Sequence, residues 1–544
     1  MQTSSWPRAA AFLGRPPLGL TLLLCASILV ARRPDLLQSP QFWAEDGPVF
    51  FAQSRTLGAA ALLQPSAGYL HTALRMIAWL AAQVDVTLAP AFFVAAAGML
   101  TLYVAARTQS RRFPFRHSIA YPLALVMVPD AYEVLLNLTN LQWVLAAGLL
   151  LILISRDALT PAQRGHDVAA LIVLGLTGPF IIAFLPLFAW RAWRRATHFS
   201  AMLAVVAGAC AAVQTIVILR NPIAATVAPM AVEMLLGIPG LRVGSSLLAG
   251  GRVGADAGFA LASGLGVLTL AAIGFLAVRR GTARIERVWL GFAFAGVLAM
   301  TLFRCRYLWP ALYHGQGSRY IFPLQLIALW LIIPAASAAR PWIAQAARWA
   351  LVVIALVNLP RLREPAFPDL RWTEYAARIR NGEHVTVKIN PDQWAFTLPG
   401  RPVAAALPVP AGAFVNVSAR CTVSPGQPAI VGFILQPGAA RRLLLRAVGP
   451  SLAQFGVAHP LSRPTLKLVE RTGNAVALAV RGEACGALSL AFATERCGAF
   501  ALAAGAGDFA GIAEVAPGSY SVIVDGGANS GGEVLIEVYE VPAV

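Results

Sequence analysis

The chain has 544 residues, 58% of them hydrophobic and 12% charged, with a mean hydropathy of +0.67, whereas soluble domains carry about a quarter charged residues. This excludes a cytosolic enzyme, a secreted disulfide scaffold and a disordered chain, and leaves a polytopic membrane enzyme, a transporter or channel, or a membrane-anchored scaffold. The net charge of +18 does not indicate nucleic acid: of 43 basic residues only Lys388 and Lys467 are lysine, and many arginines sit in short loops beside apolar segments, as membrane topology demands.

The first apolar run, about 18–31, reads as a retained anchor rather than a cleaved signal. Arg8 and Arg15 before it place the N-terminus inside. Arg107, Arg111, Arg112 and Arg116 mark a cytoplasmic loop, as do Arg156 and Arg164, then Arg191, Arg194 and Arg195, then Arg279, Arg280, Arg284 and Arg287. For all of these to be inside, residues 32–85 stay on the outer face, and 69–84, carrying His71 and Arg75, form an amphipathic or re-entrant helix. Arg32 and Arg33 locally oppose this assignment.

Spans are expected near 86–106, 117–129, 141–155, 200–219, 255–278, 288–303, 321–338 and 342–359. Gly175, Gly178 and Pro179 divide the apolar region 167–190, predicting two short or broken helices that meet near the outer face. The sum is about eleven crossings with the C-terminus outside. Outer loops are then 32–85, 130–140, 220–254, 304–320 and everything after 360.

Residues 361–410 read as a polar and aromatic extracytoplasmic connector between a membrane domain, 1–360, and a β domain, 411–544. Runs such as Phe414-Val415-Asn416-Val417 and Val534-Leu535-Ile536-Glu537-Val538-Tyr539, bounded by Pro-Gly and Gly-Gly turns, predict an all-β sandwich of about eight strands. Cys25 and Cys210 lie in apolar runs as small hydrophobes. The tail contains Cys421, Cys485 and Cys497, and a single Cys485–Cys497 bridge is allowed outside the cytoplasm.

The candidate chemistry begins at Phe42-Trp43-Ala44-Glu45-Asp46-Gly47-Pro48, just beyond the first span. Adjacent carboxylates among aromatics at the membrane surface suit acid/base or metal work on a substrate at headgroup level, one carboxylate deprotonating an acceptor hydroxyl. The same residues also suit a helix start, with Asp46 or Gly47 as cap and Pro48 at the first position. Capping explains Asp46 and leaves Glu45 unexplained.

In the outer loop 130–140, Asp130 and Glu133 form a second acidic element, with Asn137, Asn140 and Gln142 able to hydrogen-bond the hydroxyl groups of a ligand; helix capping before Leu141 is the alternative. In 304–320, Arg306 and Arg319, with Tyr320, are candidates for gripping a lipid phosphate. Interface snorkelling is the competing reading, and it leads for Arg304.

The segments Trp43-Ala44-Glu45-Asp46-Gly47, Gly68-Tyr69-Leu70-His71, Glu133 with Asn137-Leu138-Thr139-Asn140-Leu141-Gln142-Trp143, and Gly315-Gln316-Gly317-Ser318-Arg319-Tyr320 resemble the GT-C superfamily of membrane glycosyltransferases. The resemblance covers about 10–400. It implies an inner-membrane enzyme that moves a sugar from a polyprenyl-phosphate carrier to a glycan, lipid or protein acceptor on the outer face. Glu45 or Asp46 would be the general base, and Asp46 the candidate ligand of a divalent cation, Mg or Mn. The Lys-Pro motif of better-known members is missing; His71 and Arg75 would serve in its place. Leu445-Arg446-Ala447-Val448-Gly449-Pro450-Ser451-Leu452 and Glu537-Val538-Tyr539-Glu540 are similar to a C-terminal domain of bacterial exported proteins, with 481–496 departing from its pattern.

The expected fold is therefore an α-helical polytopic membrane domain followed by an all-β sandwich-like domain. The expected function is glycosyl transfer. The rivals are a transporter or flippase of lipid-linked sugars, using 167–190 as part of its path, and a non-enzymatic scaffold that displays the β domain.

Overall fold

A computed structural model describes residues 17–116, 118–222, 232–392, 394–398, 416–436, 438–471, 473–476, 479–480, 487–502, 505–527 and 530–541. Arg8, Arg15 and Cys485, and with Cys485 the expected bridge to Cys497, lie outside the described residues. The chain divides into two compact units, Met1–Gly400 and Arg401–Val544.

Among the described residues of the first unit, six helices are long and apolar enough to cross a membrane: Val86–Arg107, His198–Arg220, Phe259–Val278, Arg284–Arg304, Ser318–Ser337 and Pro341–Arg361. At 1.5 Å per residue, each spans about 30 Å. The helix Leu141–Ile154 is shorter, and all 14 of its residues are buried. A helix that is apolar all round belongs inside a bundle, and this one is enclosed by its neighbours.

The arginine-rich loops gather at one end of this bundle. Arg112 pairs with the fully buried Asp167, and Arg107 approaches the same carboxylate at 3.0 Å. Arg191 and Arg195 share Asp157 at 2.7 and 3.0 Å, and Arg195 reaches Glu286 at 3.3 Å. The other set of loops lies at the opposite ends of the same helices. Trp372 Nε1 donates to the carbonyls of Val86 and Thr87, at the start of the helix that finishes at Arg107. Helix Arg284–Arg304 likewise runs from the Glu286 pair to Arg304, which donates to the Ala67 carbonyl.

Arg32 and Arg33, at the second end, are neutralised locally. Arg32 is buried against Glu364, and Arg33 grips Asp35 with Nε and Nη2 at 3.0 and 2.8 Å while lying 3.6 Å over the Phe367 ring. A paired and buried guanidinium has little free charge with which to direct topology.

The region 167–190 is a helical hairpin, Pro161–Gly175 and Phe180–Arg195, which turns at the end opposite the arginine loops. Gly178 at the turn has φ +88°, a conformation that favours glycine, and a Cβ there would press on the end of the Gln142 side chain, 2.6 Å from Oε1. The helix after His71, Thr72–Ala81, has 10 residues and at about 15 Å is too short to cross.

Three expectations are corrected. In 117–129, expected as a span, the helix is only Ala120–Val126, seven residues, because Pro129 and the polar Asp130 loop end it early. Within 220–254, expected as an outer loop, the described part contains the helix Val232–Ile238, a π-helical stretch Pro239–Ser245 and one further turn, Ser246–Ala249. It packs backbone to backbone on Phe259–Val278: a Cβ on Gly266 would lie 1.9 Å from the Leu236 carbonyl oxygen, and one on Gly240 would lie 2.4 Å from that of Ala262. Small residues on both helices permit that crossing. The third concerns 361–398, expected as part of a connector. It is built into the helical unit through helix Trp372–Arg380 and a hairpin of β1 (Val385–Ile389) and β2 (Trp394–Leu398), whose Val385, Val387, Ile389, Phe396 and Leu398 join the main core.

The second unit is a β-sandwich. Strands β3 (Asn416–Val423), β4 (Ala429–Leu435), β5 (Arg441–Val448), β6 (Thr465–Glu470), β7 (Ala475–Val476), β8 (Ala479–Val480), β9 (Phe509–Val515), β10 (Gly518–Asp525) and β11 (Gly532–Glu540) form antiparallel sheets of order β4-β10-β6-β7 and β3-β11-β5-β9-β8. The alternation read from the sequence puts Phe433, Leu468, Val522, Leu445, Ile536 and Val538 into one shared core. On the outer face of the five-stranded sheet, Leu490 and Ala493 of helix Ala487–Arg496 cover Leu444, Ile512 and Tyr539. This helix occupies most of the section that departs from the exported-domain pattern.

Replacing Gly266 by Val is expected to force the two helices apart and cost about 1–3 kcal/mol. Gly264→Val, where nothing lies within 4 Å, serves as the control. Thermal unfolding of the two variants in detergent should show a lower midpoint for Gly266→Val alone.

Candidate functional site

The first outer segment is fastened from two sides. On one side, Ala44 N–H donates to the Asn390 carbonyl at 2.6 Å, and Gln41 is bonded to Pro368, Leu370 and Asn390. Phe42 packs edge-on to Trp372 at 4.8 Å, and Trp43 stacks on Phe367 at 4.6 Å. On the other side is the Asp46 carboxylate. Its Oδ2 accepts from Trp43 N–H at 3.1 Å, and its Oδ1 accepts from Thr139 N–H and Oγ–H at 2.8 and 2.6 Å. Asp46 therefore both caps the turn Ala44–Asp46 and ties it to the loop before helix Leu141–Ile154. Burial pushes its carboxyl up to about 7; the donors from Thr139 and Trp43 oppose that shift, and the neighbouring Glu45 adds to it.

Glu45, by contrast, is only partly buried and makes no hydrogen bond or ion pair with a described residue. It lines a cavity of about 750 Å³ together with His71, Asn140, Gln142, Trp143, Arg304, Arg306, Arg319 and Tyr320. The cavity has an apolar border formed by Ile218, Leu219, Met300 and Phe303 on two of the long helices, and Leu219 and Phe303 are largely exposed. Three residues with a Cβ adopt left-handed φ in the segments that build it: Ala44 (+46°), Ala67 (+49°) and Leu136 (+57°). Each costs about 1–3 kcal/mol, and such strain clusters at functional sites.

Gln214, fully buried, ties Leu70 to the turn of the 161–195 hairpin. Its Oε1 accepts from Leu70 N–H at 3.0 Å, and its Nε2 donates to the carbonyls of Leu70 and Gly178 at 3.2 and 3.1 Å. His71 follows, its Nε2 donating to the Ser66 carbonyl at 3.2 Å and its ring 4.6 Å from that of Tyr69. Burial, with Arg75 nearby, lowers His71 to about 3, so the imidazole is neutral and Nδ1 is a bare acceptor. Arg75 does not line the cavity. It is a buried clamp, donating to the carbonyls of Gln64 and Val49 at 3.1 and 2.7 Å.

Glu133 does not stand free. It accepts from Ser318 Oγ–H and Arg319 N–H at 3.3 Å each and pairs with Arg319 Nη1 at 3.2 Å. The guanidinium also lies 4.9 Å over the Tyr320 ring. Asp130 is engaged by Arg361 at 3.0 Å, Gln325 at 2.8 Å and Ser246 at 3.2 Å. It faces a second cavity of about 700 Å³ that shares Arg319 and Tyr320 with the first. Asn137 Oδ1 accepts from Asn140 N–H at 3.1 Å, and Asn140 Nδ2 donates to the Glu133 carbonyl at 2.7 Å; these amides shape the loop, and Asn137 stays off the first cavity. Arg306 donates to the carbonyl of Phe303 at 3.1 Å and lies 4.7 Å over the same residue's ring.

Both Asp46 oxygens are taken by N–H and O–H donors, and among the described residues no group of three His, Cys, Asp or Glu side chains is arranged to hold a metal ion. A divalent cation held by protein side chains alone does not fit this donor set. Sequence reasoning passed over Thr139 as the partner of Asp46, and Gln214, Trp143 and Asn390 as positioning or wall residues. None carries a local signal, since each acts on a segment distant in sequence.

The native state holds a proton on Asp46 up to about pH 7, whereas an ordinary carboxylate releases it near 3.8. This group's favourable contribution to stability is complete below about pH 4 and is lost as the pH rises towards 7. Melting midpoints between pH 5 and 8 should fall more steeply for wild type than for Asp46→Asn, which keeps the Thr139 acceptor and cannot ionise.

Comparison of the chain with family models, with curated proteins and with solved structures finds no match.

Proposed function

We propose that the protein is an inverting membrane glycosyltransferase of GT-C type, with about eleven crossings in a bacterial inner membrane and the second cluster of loops outside. It would take a sugar from a polyprenyl-phosphate donor and pass it to a glycan, lipid or protein acceptor of the cell envelope. The observation that carries this reading is Glu45: a carboxylate with no hydrogen-bond or ion-pair partner among the described residues, in a cavity edged by three arginines and open to an apolar helix border.

The chemistry follows from those neighbours. Glu45 takes the proton of an acceptor hydroxyl as its oxygen bonds to the anomeric carbon. The bond from that carbon to the phosphate oxygen breaks on the opposite face, and the phosphate leaves with its electron pair. Arg319, held by Glu133 and Tyr320, meets the charge that develops on it. Arg304 and Arg306 enlarge the positive rim, and the apolar border suits a prenyl tail that stays in the bilayer. Asp46 would be the residue that aims Glu45, rather than a second base. The sandwich would serve as an extracytoplasmic binding or spacer module.

Glu45→Gln should lower transfer by at least about 100-fold while the protein reaches the membrane at normal levels. Mass spectrometry of envelope glycans from a deletion strain complemented with wild type, Glu45→Gln or Asp46→Asn reads this out. Loss of a sugar on deletion that Glu45→Gln restores in full would instead favour a flippase.

A further inference from the structure

Tyr69 lines the first cavity and has no part in the displacement described for Glu45 and Arg319. The residue is only 9% exposed and is held firmly. Its backbone bridges Ser66 in both directions, N–H to carbonyl at 3.1 and 3.0 Å. Its ring lies 4.6 Å from the His71 ring, and the Arg304 guanidinium stands 5.9 Å over it. Gln142 Nε2 donates to the hydroxyl at 3.3 Å. That bond occupies a lone pair and leaves the proton free, since the phenol donates to none of the described residues. A buried donor without an acceptor costs about 1–3 kcal/mol and is rare in protein interiors. A ligand in the cavity can supply the missing acceptor.

The charges that act on this hydroxyl are those of Arg304, Arg319 and Glu45. Two cations against one anion make its surroundings net positive, which favours an anionic acceptor. Burial raises the phenol above its ordinary value, so it keeps its proton throughout the pH range in which proteins are stable.

Resting on the transferase reading, we infer that Tyr69 is a further catalytic residue, whose hydroxyl donates a hydrogen bond to the phosphate oxygen that leaves the anomeric carbon. As the carbon–oxygen bond breaks, its electron pair passes to that oxygen, and a fixed O–H dipole in a dry wall stabilises the new charge. The phenol does not surrender its proton: a phosphate monoester takes up its last proton only near pH 6, far below the phenol. Tyr69 thus adds a neutral, directional donor to the cations beside it, and its bond strengthens as the charge grows.

The test is equilibrium binding to the full chain in lipid nanodiscs. The probes are a short-chain prenyl phosphate, its methyl ester and the corresponding prenol. The phosphate represents the departed leaving group, with a charge of about −1.5 to −2; the ester represents the donor before cleavage, and the prenol carries no charge. Tyr69→Phe, which removes only the hydroxyl, should weaken the phosphate by about tenfold or more. It should weaken the ester less and leave the prenol unchanged. Tyr69→3-fluorotyrosine, a more acidic phenol and a stronger donor, should tighten the phosphate, and it decides the matter if Tyr69→Phe fails to fold. Equal affinity of wild type and Tyr69→Phe for the phosphate overturns the inference and leaves the transferase reading standing. A loss shared equally by all three probes also overturns it, since Tyr69 would then only shape the wall. An equal loss for phosphate and ester overturns the catalytic role, because the bond would not follow the developing charge. Wild type that binds the phosphate no tighter than the prenol removes the transferase reading and the inference together.

Discussion

The site depends on one buried carboxylate. Asp46 accepts from Trp43 N–H, from Thr139 N–H and from Thr139 Oγ–H, so a single side chain closes the turn after the first helix and ties it to the loop that starts helix Leu141–Ile154. Glu45, the next residue back along the chain, has no hydrogen-bond or ion-pair partner among the described residues and stands at the edge of a cavity. In an acidic pair the two positions are chemically alike, and the tertiary setting separates them. One is buried and spent on structure, the other is partly solvated and available. Environment, rather than residue type, commonly divides roles between neighbouring carboxylates.

The same logic governs the arginines. With 43 basic and 25 acidic residues, the chain has more guanidinium groups than carboxylates to pair them, and some buried ones, such as Arg75 and Arg287, lean on backbone carbonyls instead. Asp157, Asp167 and Glu286 collect four arginines at one end. At the other end Glu364, Asp35, Glu133 and Asp130 each hold at least one. Arg319 is the instructive case, since the Glu133 pair and the Tyr320 ring orient its guanidinium while it remains part of both cavity walls. A carboxylate that looks like a second acid in the sequence thereby becomes the group that aims a cation.

Much of the architecture was legible in the sequence. Apolar run length identified the long helices, glycines and a proline identified the helix break within 167–190, and short alternating runs between turn residues identified the C-terminal region as β. The misreadings share a cause. The segment 220–254 contains several glycines and an arginine and reads as a loop, yet its glycines lie against the neighbouring helix, and Arg242 donates to the carbonyls of Leu312 and Gln316 at 2.8 and 2.7 Å. Residues 361–398 look like a polar linker because every second strand residue faces outward, and the inward set enters a core built by segments about 300 residues earlier in the chain.

The sequence by itself determined the class of molecule, the helices, the sandwich and the acidic pair, because hydrophobic run length, alternation and composition are local properties read over a few turns or strands. Only the tertiary structure decided which carboxylate is free, which arginines are neutralised and which buried polar atoms are left unsatisfied. Those are properties of pairs brought together from distant positions, Asp46 with Thr139, Arg32 with Glu364 and Gln214 with Leu70, and hydrogen bonding and charge pairing depend on separations of a few ångströms that no local pattern encodes.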